Sequence, residues 1–153
     1  RGLGDVYKRQ GYKDTVRNAE RSGEFVYNLA TRTLADAVNQ SSLEAPPDVS
    51  EFAVCGLTPS ASVAVMAPAV QESPVNMECK VLQVNRLQDR LGHALDTWMV
   101  LAEVVMVHID RRLLCGPHGV YDTTAASPIL RGGGPADYFE VTEVSRFQLR
   151  RPQ

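Results

Sequence analysis

Apolar residues recur along the chain in two rhythms, and the texture changes at Gly56. Before it, DTVRNAERSG reads as a helix: Asp14 or Thr15 can cap its exposed N–H groups, and Ser22-Gly23 supplies a stop. In EFVYNLAT, the residues Phe25, Val26, Tyr27 and Leu29 predict a short, largely buried strand. Thr31 can then cap a second helix, RTLADAVNQ, with Leu34, Ala35 and Val38 on one face. EAPPDVSEF is a loop, because Pro46-Pro47 forbids helix continuation; Asp48 or Ser50 can start a short helical turn through Val54.

After Gly56 the pattern is that of strands. LTPSASVAVMAPAVQESP is rich in proline and hydroxyl residues, which predicts an irregular, extended segment with one short strand near Val63–Met66. VNMECKVLQVNRL alternates: Val75, Met77, Cys79, Val81 and Leu82 or Val84 suit a strand with one covered face. TWMVLAEVVMVHID is long and valine-rich, the strongest strand pattern in the chain. Its apolar residues fall on both faces, so one side is expected against the sheet interior and the other against a further surface, such as a second subunit. YFEVTEVSRFQL alternates Phe139, Val141, Val144, Phe147 and Leu149 as a final strand. Short helices feeding a mainly antiparallel sheet predict a mainly β domain, a small β-barrel with peripheral helices.

Composition narrows the classes of function. The chain has 153 residues, 44% hydrophobic and 22% charged, ordinary for one globular domain with a real core. A net charge of -2 gives no general grip on nucleic acid or an anionic membrane. Cys55, Cys79 and Cys115 are dispersed and odd in number, which fits free thiols in a reducing cytoplasm rather than a disulfide scaffold. His93, His108 and His118 lack metal-ligand spacing with them, so no metal site is expected. WMVLAEVVMVHI is broken by Glu103 and is shorter than the roughly 20 residues a membrane helix requires.

Candidate chemistry is sparse. There is no G-x-S-x-G elbow, and Glu72, Glu78 and Glu103 stand isolated in apolar segments. RGLGDVYKRQ begins like a dinucleotide loop, but Tyr7 takes the place of the third glycine and no strand precedes it. RGGGP, Arg131 to Pro135, lacks the G-K-[ST] ending of a P-loop; it suits a turn, or a backbone that a flat ligand can approach closely. KDT, Lys13 to Thr15, opens a helix whose unpaired N–H groups favour an anion. Lys13 adds a charge and Thr15 a hydroxyl donor, which together suit a phosphate. Asp14 would repel a phosphate, so capping the helix or pairing with Arg17 is its expected work. An ordinary helix start would explain the same tripeptide.

GYKDTVRNAERSGEFVYNLAT resembles the K-D-T-x-x-N-(x)-E-x-x-G-E-F-V-x-N-L segment of flavin reductase-like proteins with the FMN-binding split-barrel fold. The resemblance continues in order through EFAVCGLTP, PAVQESPVNMECKV, LAEVVMVHID and RGGGPADYFEVTEV, covering Gly11 to Pro152. It implies a homodimeric flavoprotein that binds FMN, with NADH or NADPH reducing the flavin in many relatives, and reduced flavin passing in some settings to a partner oxygenase. Carried over by position, Lys13, Asp14 and Thr15 match the stretch near the FMN phosphate. Arg131, Gly133 and Tyr138 match the late R-x-G-G-x-x-Y region beside the flavin pocket. Gly132 and Pro135 depart from the family's usual R-L-G-G, so a different local turn is expected there.

RGLGDVYKRQ matches none of the strands and loops that precede K-D-T in the family. The expectation is therefore a non-native leader over residues 1–10 and a partial split-barrel domain over 11–153, incomplete at its N-terminus. The alternatives to a reductase are an FMN-binding module without reductase activity and an inert fragment.

Overall fold

The structure, a computed structural model, describes residues 12–43, 46 and 49–152. The expected leader over 1–10 lies outside the described residues, as does most of the EAPPD loop. The chain divides into two compact units. The first comprises the residues up to Tyr27 with Ala61–Ala69 and Met77–Met106; the second comprises Asn28–Ser60, Val70–Asn76 and the residues from Val107 onward.

In the first unit, α1 spans Asp14–Ser22 and ends at Gly23, whose φ of 70° lets its N–H return to the Ala19 carbonyl at 2.9 Å. Ala19 is the buried residue of the helix. Three strands, most but not all of whose residues belong to this unit, follow in sheet order: β1 (Glu24–Asn28) beside β4 (Val75–Gln88) beside β5 (Ala94–Ile109). The Gly23 carbonyl accepts the Val81 N–H at 2.8 Å, fastening the helix end to β4. Asp89 closes the β4–β5 turn, its carboxylate accepting the Leu91 and His93 N–H groups at 2.8 and 2.9 Å. Those hydrogen bonds, His93's foremost, hold the Asp89 carboxyl below its ordinary range.

The expected strand near Val63–Met66 does not form. Glu78 is fully buried on β4, and its carboxylate accepts the N–H groups of Val63, Ala64 and Val65 at 2.8, 2.5 and 3.1 Å. Glu24 on β1 accepts those of Met66 and Ala67 at 2.5 and 3.1 Å and pairs with Lys80 at 3.6 Å. With five successive amides turned to two carboxylates, the segment has no N–H row to offer a neighbouring strand. Only its flanks pair, as β2 (Pro59–Ser60) and β3 (Ala69–Val70).

One other expectation about burial needs correction. β1 is half-buried rather than largely buried, with Tyr27 48% exposed. On β5 the valine-rich run is partly open in the single chain: Leu101, Val104 and Met106 are 43%, 48% and 37% exposed.

In the second unit, Thr31 stands before a tight turn, Arg32–Leu34, that leads into α2 (Ala35–Gln40). The first turn is 3₁₀ because the Leu34 N–H reaches the Thr31 carbonyl at 3.0 Å. α3 spans Glu51–Cys55, started at Ser50 and stopped by Gly56 at φ 65°. Two hairpins follow, β6 (Leu114–Cys115) with β7 (Val120–Tyr121) and β8 (Ile129–Arg131) with β9 (Tyr138–Glu140). The expected final strand stops at Glu140. Thr142 and Ser145 cap each other across a 3₁₀ turn, Glu143–Ser145, and Phe147 and Leu149 beyond it are 78% and 87% exposed.

Asp110 caps the Arg111–Leu113 turn and grips the Arg112 guanidinium. Arg112's hydrogen bonds pull the Asp110 carboxyl from 3.8 to about 2. Because the folded value is depressed, the stability it contributes is present above pH 3.8 and lost as pH falls through about 2. The difference in denaturation midpoint between wild type and Asp110→Asn is therefore expected at neutral pH and should vanish near pH 2.

Glu78→Ala leaves three amides without their buried acceptor and should cost about 3 kcal/mol by chemical denaturation. Hydrogen exchange should accelerate at Val63–Val65 and stay unchanged in the Asp89 turn; uniform acceleration would show that Glu78 does not act on the loop locally.

Candidate functional site

The β8–β9 register pairs Arg131 with Tyr138, so both side chains leave the same face of the hairpin. They meet there. Arg131 Nη1 donates to the Tyr138 hydroxyl at 3.1 Å, Nη2 donates to the Pro135 carbonyl at 2.8 Å, and the guanidinium lies 5.1 Å from the Tyr138 ring centre. A cation held by three contacts is already oriented before any ligand arrives.

The connecting loop explains its glycines differently at each position. The Gly132 N–H donates to the Asp137 carbonyl at 2.7 Å, and a Cβ on Gly132 would lie 2.9 Å from both Asp137 Cβ and Phe139 Cε2. A Cβ on Gly134 would run into the Asp137 carboxylate. Gly133 is unlike both: nothing lies within 4 Å of its would-be Cβ. The local turn thus requires glycine where the family's pattern has an apolar residue, while Gly133 leaves its backbone open to an approaching surface.

The Thr31–Pro128 bridge sets the start of α2 beside this hairpin, and its flanks are tied by Arg32 N–H to the Ser127 carbonyl at 2.9 Å and Ile129 N–H to the Ala30 carbonyl at 3.0 Å. Ser127 takes a left-handed φ of 46° to make the turn, a conformation that costs a non-glycine residue energy. Between α2 and the hairpin is a cleft of about 610 Å³, lined by Arg32, Asp36, Asn39, Arg131, Tyr138 and Phe139 among others. Arg32, Asp36 and Asn39 were not singled out from the sequence. The pattern there showed only the apolar face of α2, and its polar face carries no motif.

Lys13, Asp14 and Thr15 belong to the first unit. Lys13 occupies the N-cap position of α1, exposed, with no side-chain cap hydrogen bond. Of the two roles expected for Asp14, the structure selects the ion pair, with Arg17 at 2.5 Å. Neither Asp14 nor Thr15 caps the helix, and among the described residues no side-chain cap hydrogen bond is made at its start. Tyr12 hydrogen-bonds Glu20 and packs edge-on against Trp98 with ring centres 4.9 Å apart.

Two further clefts lie in the second unit, about 470 Å³ beside Cys115, Asp122 and Arg146, and about 360 Å³ beside Thr31, Glu72 and Asp110. Their carboxylates are already spoken for: Asp122 accepts from Ala125 and Thr124, and Glu72 from Thr58. The cysteines are unpaired, and burial pushes the Cys55 and Cys79 thiols up, away from nucleophilic thiolate.

The mainly β architecture is that of the split-barrel flavin reductases. A family model described as the flavin reductase like domain matches residues 10–126, and the chain belongs to that family. Lys13, Asp14 and Thr15 lie inside the matched stretch; Arg131, Gly133 and Tyr138 follow it. An uncharacterized protein of Halalkalibacterium halodurans is 34% identical over 92% of this chain and 64% of its own length. Nitrilotriacetate monooxygenase component B from Bacillus cereus has the same fold, with a TM-score of 0.80 and 29% identity over 93% of this chain and 67% of that one. An FMN-binding domain of a flavin reductases-like enzyme from Shewanella baltica matches at a TM-score of 0.65 and 19% identity, over 90% of this chain and 69% of that one. The chain thus spans less than two thirds of the length of the curated relative.

Gly132→Ala should destabilise the second unit by about 1–3 kcal/mol through the forced contact with Asp137 and Phe139. Gly133→Ala should stay within about 0.5 kcal/mol of wild type. Denaturant midpoints check both, and equal losses would mean the loop does not discriminate between its glycines.

Proposed function

We propose that this chain binds FMN and, as part of a longer protein, reduces flavin with NADH or NADPH. The observation that carries the reading is the start of α1, within the family match: Lys13 exposed at the N-cap, with no side-chain cap hydrogen bond among the described residues. In this reading Lys13 and the first-turn N–H groups hold the phosphate, where a dianion gains from both charge and helix dipole. The Thr15 hydroxyl donates to it, and the Arg17 pair keeps the Asp14 carboxylate engaged elsewhere.

Arg131, held by Tyr138 and Pro135, borders the flavin, and the open backbone at Gly133 suits the close approach of a flat ring. When bound, FMN supplies the hydride-accepting ring. The protein's work is then binding, orientation and exclusion of water, which asks for no paired acid and base. The partly open apolar residues of β5 support a homodimer that covers them. The name of the Bacillus cereus neighbour supports a partner oxygenase as the consumer of reduced flavin. Unpaired cysteines support a cytoplasmic setting. Among the described residues no helix is long and apolar enough to cross a membrane.

Titrating FMN into the 153-residue chain should quench flavin fluorescence with a dissociation constant of about 1 μM. Lys13→Ala should weaken FMN about tenfold while leaving riboflavin, which lacks the phosphate, nearly unchanged. Equal losses for both ligands would remove the phosphate role, and no binding by the wild-type chain would leave an inert fragment. Mixing the flavin-loaded protein with NADH or NADPH in stopped flow should bleach the flavin absorbance; persistent absorbance would identify a binding module without reductase activity.

A further inference from the structure

The cleft between α2 and the β8–β9 hairpin carries polar groups that the flavin reading leaves unused. Arg32, Asp36, Asn39 and Glu140 line it, and none of the four side chains is engaged by a hydrogen bond or ion pair with another described residue. Beside them, Phe139 is 64% exposed on an otherwise short strand. We propose that this cleft receives the adenosine phosphate end of the nicotinamide dinucleotide, and that Asp36 and Glu140 make it select NADH over NADPH. The proposal rests on the flavin reductase reading, because the dinucleotide must reach a flavin bordered by Arg131 and Tyr138.

The chemistry of the lining matches that ligand part by part. At about 610 Å³ the cleft is of the size that takes a nucleotide-sized group. Phe139 offers a flat apolar face for a base. Arg32 is the uncommitted cation for a phosphate. Carboxylates are pure acceptors when ionised, and they pair well with the adjacent hydroxyls of a ribose.

The arginines decide the selectivity. A 2′-phosphate is usually accommodated by a free arginine. Arg131 is not free: both of its terminal nitrogens already donate, to Tyr138 and Pro135. If Arg32 serves the 5′-phosphate, a second phosphate on the ribose meets Asp36 and Glu140 with no cation left to offset them. Two like-charged neighbours at the surface suffice for a preference of about tenfold, which corresponds to about 1.4 kcal/mol.

Calorimetric titration of the chain with adenosine 5′-monophosphate and with adenosine 2′,5′-bisphosphate tests this without any turnover. The monophosphate should bind about tenfold more tightly. Asp36→Asn combined with Glu140→Gln should erase that ratio, whereas Phe139→Ala should weaken both probes alike. Circular dichroism of each variant confirms that the fold survives, and the single substitutions serve where the double variant fails to fold. Equal or tighter binding of the bisphosphate, a ratio unmoved by the carboxylate substitutions, or no binding of either probe would each overturn the proposal. A parallel FMN titration separates the two readings. FMN binding without nucleotide binding removes only the cleft's role, and nucleotide binding without FMN binding removes only the flavin role.

Discussion

A carboxylate cannot stay charged inside a protein unless donors surround it, and Glu78 makes that requirement an organising element of the first unit. Its side chain is fully buried, and it is satisfied by bending Val63, Ala64 and Val65 around it. The dependence runs both ways. Without the loop the charge would be stranded, and without the charge the loop's amides would be stranded. Glu24 repeats the arrangement for Met66 and Ala67 while pairing with Lys80. β1 and β4 are thus joined to the same loop by charge-assisted hydrogen bonds, stronger than the neutral bonds of the sheet ladder.

The second unit meets backbone groups with neutral side chains rather than charge. The Asn28 side-chain carbonyl accepts the Val70 N–H at 2.9 Å, and the single Ser73 hydroxyl proton is shared between the Leu29 and Val75 carbonyls. The Thr31–Pro128 bridge joins two buried residues and follows a serine held at φ 46°. That local cost brings Arg32–Asn39 alongside the hairpin and creates the cleft. A site lined from a helix and a hairpin follows from one short bridge.

What the sequence made legible follows the range of the forces involved. Helix α1, its glycine stop and the two long strands β4 and β5 were readable because local periodicity decides them. The ion pair of Asp14 with Arg17 was readable as one of two roles, since three residues of helix fix the separation. The loop at Val63–Met66 was not readable. Its valines favour a strand, and the residue that overrides them sits well downstream, at Glu78, where it looked like an isolated acid. The tail failed for a similar reason: alternation suggested a strand through Leu149, but the Thr142–Ser145 cap diverts the backbone first. Arg131 with Tyr138 was found by motif, whereas Asp36 and Asn39 enter the cleft only through a tertiary contact that no local pattern encodes.

The glycine-rich loop shows how chemistry and packing divide a motif between them. In R-G-G-G-P, the first glycine is required by the closeness of Asp137 and Phe139, whereas at the third a side chain would have to displace only the Asp137 carboxylate. Gly133 is free of every internal demand: its φ is not left-handed and its surroundings are empty. The neighbouring Arg131 is constrained in the opposite sense, with its terminal donors taken up by Tyr138 and Pro135. It contributes a fixed field and a stacking face more than a flexible grip, which suits a flat cofactor better than a mobile anion.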